Sequence, residues 1–258
     1  MDRNRLLTFG DDASPYADVA WLFVTSQKWP NWSAELITVE AHEGLEPTPE
    51  AEAKPHAWAP PHQRSAGNSE LSKLFYLHAT GDPRIILSQP SDLLVIGPRG
   101  PGLLKALHIG STAEWFLRRP PSPLLIARHG TTATTALVCT DGSQHAERAI
   151  SALIMLPWIR EIAVTVLVGH TYAVDVEKTT ERALALLNPT AKSVTVHVES
   201  GDPTPMIMHQ LNNNPVDLVV LGTRGLTGLR HLELGSTASA VAHAAECSVL
   251  LACEPNPS

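Results

Sequence analysis

Two segments of this chain carry glycine, serine and threonine at a spacing suited to holding a phosphate. Gly97-Pro98-Arg99-Gly100 is followed after nine residues by Gly110-Ser111-Thr112, and Gly222-Thr223-Arg224-Gly225 after nine residues by Gly235-Ser236-Thr237. Each segment leaves an apolar run with strand character, Leu93-Leu94-Val95-Ile96 or Leu218-Val219-Val220-Leu221. A chain that turns on glycines and enters a helix at Gly-Ser-Thr presents amides and hydroxyls to an anion. Gly222 and Gly225 are expected to use conformations closed to other residues and to leave no Cβ in the way of a ribose or phosphate. No Gly-Lys-Ser/Thr follows, so the lysine and magnesium arrangement of a P-loop is absent. The plainer alternative is that Ser111 and Ser236 only cap their helices, worth about 1 kcal/mol each.

Asp141 follows the apolar run Ala136-Leu137-Val138-Cys139. It stands at the carboxyl end of a first strand, where open parallel sheets place ligands. It equally suits a turn aspartate that caps a helix over 143–156. Asp12-Ala13-Ser14 holds the same place in the first half as Asp141-Gly142-Ser143 in the second. His170 and Arg224 are close enough in sequence to reach a phosphate, but both read more simply as exposed structural side chains. Twelve histidines never fall at H-x3-H or H-E-x2-H spacing, and Cys247 and Cys253 lack the close pairs of a zinc site. No metal ligand set and no catalytic triad emerge, so no catalytic residue is assigned.

The elements that must position these residues repeat as well. Aligning 91–128 with 216–253 without gaps gives 14 identities in 38 positions, Asp92/Asp217 and Arg99/Arg224 among them. Gly81-Asp82-Pro83 likewise matches Gly201-Asp202-Pro203. So long a period means two tandem domains rather than a solenoid of roughly 20–50-residue units. In the second half the pattern predicts strands over 135–140, 163–168, 194–198, 217–221 and 248–252, alternating with helices over 143–156, 175–187, 203–212 and 236–246. The first half predicts strand 5–9, helix 14–27, strand 35–41, a short helical turn before Pro90, strand 93–96 and strand 123–128. Strands alternating with helices imply an open, mostly parallel sheet with helices on both faces.

One stretch breaks the repeat. Residues 43–70 hold five prolines, at 47, 49, 55, 60 and 61. They resist a regular helix, so the first domain has exchanged a crossover helix for an extended excursion, with Trp58 a candidate anchor, or else carries a mobile surface loop. The break between domains falls at His129-Gly130-Thr131-Thr132, giving domains over 1–130 and 131–258.

Composition narrows the classes. A net charge of −7 and a pI near 5.9 argue against a general affinity for nucleic acid. No stretch approaches the roughly 18 apolar residues of a membrane span. Three cysteines, one of them inside an apolar run, suit reduced thiols in a cytoplasmic protein.

The element order, the strand-1 aspartate and the G-x2-G-x9-G-[S/T] signature together resemble the universal stress protein family, specifically its tandem two-domain bacterial members. The resemblance implies two Rossmann-like domains of the adenine nucleotide alpha hydrolase type. It implies ATP or AMP, with or without Mg2+, bound by a stress-response sensor or regulator that hydrolyses it slowly or not at all. It further implies that the two domains pair within the chain and that the chain forms a homodimer. The nucleotide site carried over is Asp141, Val168, Gly222, Gly225, Gly235, Ser236 and Thr237, with Asp141 accepting from the adenosine part and Val168 beside the base. A second site would use Asp12, Gly97, Gly100, Gly110, Ser111 and Thr112. There Pro98 stands in place of Thr223 and removes a backbone donor, so the second domain is expected to bind better. The remaining alternatives are a slow ATPase or nucleotidyl-transfer enzyme, and a non-binding interaction module.

Overall fold

Leu93–Ile96 and Leu218–Leu221 are apolar at every position because strands in the middle of a parallel sheet are covered on both faces. The computed structural model describes residues 4–40, 64–99, 109–170, 174–225 and 234–252. The chain divides into two compact units: Met1–Phe116 with Pro120–Thr131, and Leu117–Arg119 with Thr132–Ser258.

In unit 1 five strands, β1 (Arg5–Asp11), β2 (Trp32–Glu40), β3 (Lys73–Thr80), β4 (Leu93–Ile96) and β5 (Leu124–Ile126), pair in parallel in the order β3-β2-β1-β4-β5. Helices α1 (Pro15–Ser26), α2 (Pro83–Ile86) and α3 (Ser111–Arg118) follow β1, β3 and β4. Unit 2 has β6 (Thr135–Thr140), β7 (Ala163–His170), β8 (Ser193–Ser200), β9 (Leu218–Gly222) and β10 (Ser248–Ala252), in parallel in the order β8-β7-β6-β9-β10. Its helices are α4 (Gln144–Met155), α5 (Val176–Leu187), α6 (Pro203–Asn213) and α7 (Ser236–Ala244). Right-handed crossovers that run one way from β6 to β8 and the other way from β8 to β10 put α4 and α5 on one face and α6 and α7 on the other. The expected α/β class with open parallel sheets is the one observed.

The sequence repeat has a structural counterpart at each of its small motifs. Gly81 and Gly201 sit at φ 143° and 145°, values that favour glycine. The aspartates after them cap α2 and α6, Asp82 accepting from the Arg84 amide at 2.9 Å and Asp202 from that of Thr204 at 3.3 Å. Proline at the first helical turn loses no donor there. Asp92 and Asp217 tie the amino ends of neighbouring strands. Asp92 Oδ2 accepts from the Leu6 amide at 2.8 Å, and Asp217 Oδ2 accepts from the amides and hydroxyls of Thr134 and Thr135 at 2.8–3.0 Å. Burial opposes ionisation of Asp217, but these donors outweigh it and hold its carboxyl below the usual range. Both aspartates stand at the opposite end of the sheet from the glycine segments.

Differences from expectation are local. The sequence pattern assigns no span to β3 or to the 3₁₀ turn Pro157–Glu161. β7 continues past Val168 to His170, and α7 stops at Ala244. Most of the proline-rich excursion, including Trp58, lies outside the described residues. Its last part, 64–70, runs beside α1: Trp21 Nε1 donates to Ser65 O at 2.9 Å and the Trp29 amide to Ser69 O at 2.6 Å.

Candidate functional site: the carboxyl ends of β6 and β9

In unit 2 the connections from β6 run one way along the sheet, while β9 lies on β6's other side. The crevice between such strands, at their carboxyl ends, is where open α/β sheets receive ligands. Asp141 follows β6, Gly222 ends β9, and the first turn of α7 begins at Ser236, so the crevice gathers all three segments.

The first turn of α4 is the clamp that shapes this corner. Gly142 takes φ 76°, and Ser143 then caps the helix, its Oγ accepting from the Ala146 amide at 3.2 Å. Ser143 Oγ also lies 3.4 Å from Arg224 O, as its donor, and the Ser143 amide donates to Asp141 Oδ1 at 3.0 Å. A Cβ on Gly222 would fall 2.6–2.8 Å from the backbone of His145 and Ala146. Gly222 is therefore glycine because a helix backbone lies against it. A Cβ on Gly225 would meet Asp141 Oδ2 at 2.7 Å, so the carboxylate sits over that glycine. Gly235 donates to Thr223 O at 2.7 Å, and a Cβ there would stand 3.3 Å from that oxygen, a tight contact. None of Gly222, Gly225 and Gly235 has positive φ, which corrects the expectation of special backbone conformations: close approach, not conformational freedom, selects these glycines.

Beyond Gly235 the chain enters α7 with Ser236 exposed and Thr237 half-buried. The first amides of a helix have no carbonyl of their own helix to bond and carry the positive end of its dipole. The crevice thus offers donors on the α7 side and the Asp141 acceptor on the β6 side. Val168 lies on the neighbouring strand, beside Thr140, the residue before Asp141. It is fully buried within β7 and in register with Thr140 and Val198. The residues at that strand's carboxyl end are Gly169 and His170, with His170 Nδ1 3.2 Å from Ser200 Oγ.

Unit 1 builds the same corner from different side chains. Gly97 is pressed by α1, where a Cβ would meet Tyr16 O at 3.0 Å. The Gly110 amide donates to Pro98 O at 2.8 Å, matching Gly235 and Thr223. The Thr223 amide donates to Ala252 O at 3.4 Å, a bond that Pro98 cannot make. Ser111 and Thr112 open α3 as Ser236 and Thr237 open α7, and Gly100 lies outside the described residues. Asp12 accepts from the Ser14 amide at 3.0 Å. Burial pushes its carboxyl above the usual range and neighbouring Asp11 adds to this, against the hydrogen bonds from Ser14.

Arg64 is the functional-looking residue that sequence reasoning missed. Its side chain is 7% exposed, and it donates from Nε and Nη2 to both oxygens of Asp11 at 2.5 and 2.7 Å. Its Nη1 lies 2.9 Å from Asp18 Oδ1, and its Cζ stands 5.7 Å from the Phe9 ring centroid. Unit 2 solves the same problem with α5: Thr179 lies against Gly142, and Arg182 bonds Glu147 at 2.9 Å. Asp18 and Glu147 hold the same position in α1 and α4.

Residues 161–252, all within unit 2, match the universal stress protein family model. Over that segment the chain is similar to the universal stress protein family. Universal stress protein Slr1230 of Synechocystis is 26% identical over 170 residues, 62% of this chain and 57% of the relative. Universal stress protein A homolog 2 of Coxiella burnetii is 36% identical over 88 residues, 32% and 60% of the two chains. These matches span somewhat over half the length of each relative. Among solved structures, a universal stress protein from Archaeoglobus fulgidus has a TM-score of 0.70 at 17% identity, covering 99% of this chain and 100% of that one. A putative universal stress protein from Pseudomonas aeruginosa has a TM-score of 0.62 at 16% identity, covering 97% and 93%. At these identities the likeness establishes the family's fold over nearly the whole chain.

Among the described residues no helix is long and apolar enough to cross a membrane.

Proposed function

We propose that the chain is a tandem universal stress protein, with domains over 1–130 and 131–258, that binds an adenine nucleotide, ATP or AMP, in the unit 2 crevice. The observation that carries this reading is the pairing across the crevice: Asp141 against Gly225 on one side, the opening turn of α7 on the other. A carboxylate suits the ribose hydroxyls of a nucleoside, and helix amides suit its phosphates. Asp141, Gly225, Gly235, Ser236 and Thr237 would contact the nucleotide. Gly222 would hold the crevice open through α4. Val168, being buried, would support it from below.

Occupancy, not turnover, would be the output of this cytoplasmic sensor. Phosphoryl transfer uses cationic groups and a residue that orients the nucleophile. The signature segment supplies amides, hydroxyls, Arg224 and Arg230, with no lysine after a glycine, and its one carboxylate, Glu233, has no sequence context that marks it as a base. Hydrolysis, with or without Mg2+, should therefore run far below the order of 1 s⁻¹ of an ordinary enzyme. A sensor of this kind shifts a conformational or dimer equilibrium by binding one state better.

Mass spectrometry of the heat-denatured, freshly purified protein is the test. Release of ATP or AMP is expected from the wild type and not from Gly235→Val, whose new side chain presses on the Thr223 carbonyl and the Arg224 backbone at the entry to α7. A chain that neither releases adenine nucleotide nor takes it up when offered would remove the reading.

A further inference from the structure

Arg99 and Arg224 occupy the same position of the repeated signature, yet their side chains meet different surroundings. Arg99 lies over the Tyr16 ring, Cζ 5.5 Å from its centroid, and donates from Nη1 to Tyr16 Oη at 3.4 Å. At the matching place in α4, unit 2 has His145, whose Nδ1 stands 3.5 Å from Thr223 Oγ1. Arg224 thus lacks the tyrosine that engages Arg99. It is half-buried, and its Nε is shut off from solvent with no hydrogen-bond partner among the described residues. A buried N–H of a charged group almost always has a partner, so an orphan of this kind calls for one.

The backbone of Arg224 is fixed at the right place for that partner. Its carbonyl is 3.4 Å from Ser143 Oγ, and its Cα lies 3.5 Å from where a Cβ on Gly235 would stand, at the entry to α7. We propose that Arg224 is the charge-reading residue of the unit 2 crevice, forming an ion pair with the phosphate chain of the bound nucleotide. This rests on the adenine-nucleotide reading above and adds a specificity to it: the site prefers phosphorylated ligands over the bare nucleoside, and longer phosphate chains over shorter ones. Arginine suits the role because its planar fork pairs with two phosphate oxygens and stays charged at every physiological pH. In unit 1 the same arginine is engaged by Tyr16.

Calorimetric titration of the full chain with ATP, AMP and adenosine tests this. Arg224→Ala is expected to weaken ATP roughly 10- to 100-fold while adenosine stays within about twofold of wild type. Arg224→Lys should recover part of the loss, since it keeps the charge and loses the fork. Unchanged ATP affinity in Arg224→Ala overturns the inference. So does an equal loss for ATP and adenosine, because that makes the arginine a shaper of the crevice and not a reader of charge. If the wild type binds none of the three ligands, or if Gly235→Val leaves ATP affinity unchanged, the nucleotide reading fails and takes this inference with it.

Discussion

The first turns of α1 and α4 are built to one plan, with a capping serine, a left-handed residue before it and a glycine of the next strand pressed beneath, but they are braced differently. In unit 2 a whole helix, α5, stands beside the turn and offers Thr179 and the surface pair Arg182–Glu147. In unit 1 a single buried arginine, Arg64, reaches in and takes both oxygens of Asp11 together with Asp18. A helix stabilises by area and tolerates loss of any one group. A buried ion pair concentrates the same task in one residue, and breaking one partner leaves an uncompensated charge.

The sharpest way to break this comparison is to remove each arginine. Arg64→Ala should destabilise unit 1 by about 3–5 kcal/mol, because Asp11 stays buried without its cation. Arg182→Ala should cost unit 2 less than about 1 kcal/mol, its pair being exposed. Hydrogen exchange resolved by unit measures both, and equal effects would mean that Arg64 is a surface ornament.

A second comparison uses the glycines under the two helices. Gly222→Ala drives a Cβ to within 2.6–2.8 Å of α4 backbone atoms, and Gly97→Ala brings one to 3.0–3.3 Å of α1. The first should cost about 3 kcal/mol and the second about 1 kcal/mol, since overpacking scales with how far the backbone must move. Denaturant unfolding followed unit by unit would show the order, and a reversed order would mean that unit 2 yields more readily than its packing indicates.

Smaller still is the difference at the amino ends of the sheets. Asp217 accepts four hydrogen bonds from Thr134 and Thr135, whereas Asp92 accepts one from Leu6. Because the folded-state carboxyl of Asp217 is held down, its contribution is present above the unfolded value and is lost as pH falls through the folded one. Asp217→Asn should remove about 2 kcal/mol near neutral pH and flatten the acid limb of unit 2's stability curve. Asp12 runs the other way. Its carboxyl is raised, so what it contributes to unit 1 is present below the unfolded value and lost as pH rises through the folded one.

The sequence made the repeat legible down to the residue, which is why the strand order, the Gly-Asp-Pro caps and the Asp92/Asp217 ties fall in matching places. It did not reveal what each glycine touches. Spacing shows that Gly222 recurs as Gly97, but whether a ligand or a helix fills the missing Cβ is settled only by α4 lying across it. Arg64 was hidden for a different reason. It closes a proline-rich stretch and pairs with Asp11, 53 residues away, and no local pattern announces so distant a contact. Val168 reads as a strand end because Gly169 looks like a stop, while a paired strand in a parallel sheet carries on through glycine to His170.

The central proposal is that the nucleotide binds in unit 2 in preference to unit 1, and the stoichiometry of ATP binding to the full chain tests it most directly. Calorimetric titration should give one ATP per chain, abolished by Gly235→Val and left intact by Gly110→Val. Two equivalent sites, or a loss of binding in the Gly110 variant as large as that in the Gly235 variant, would contradict it.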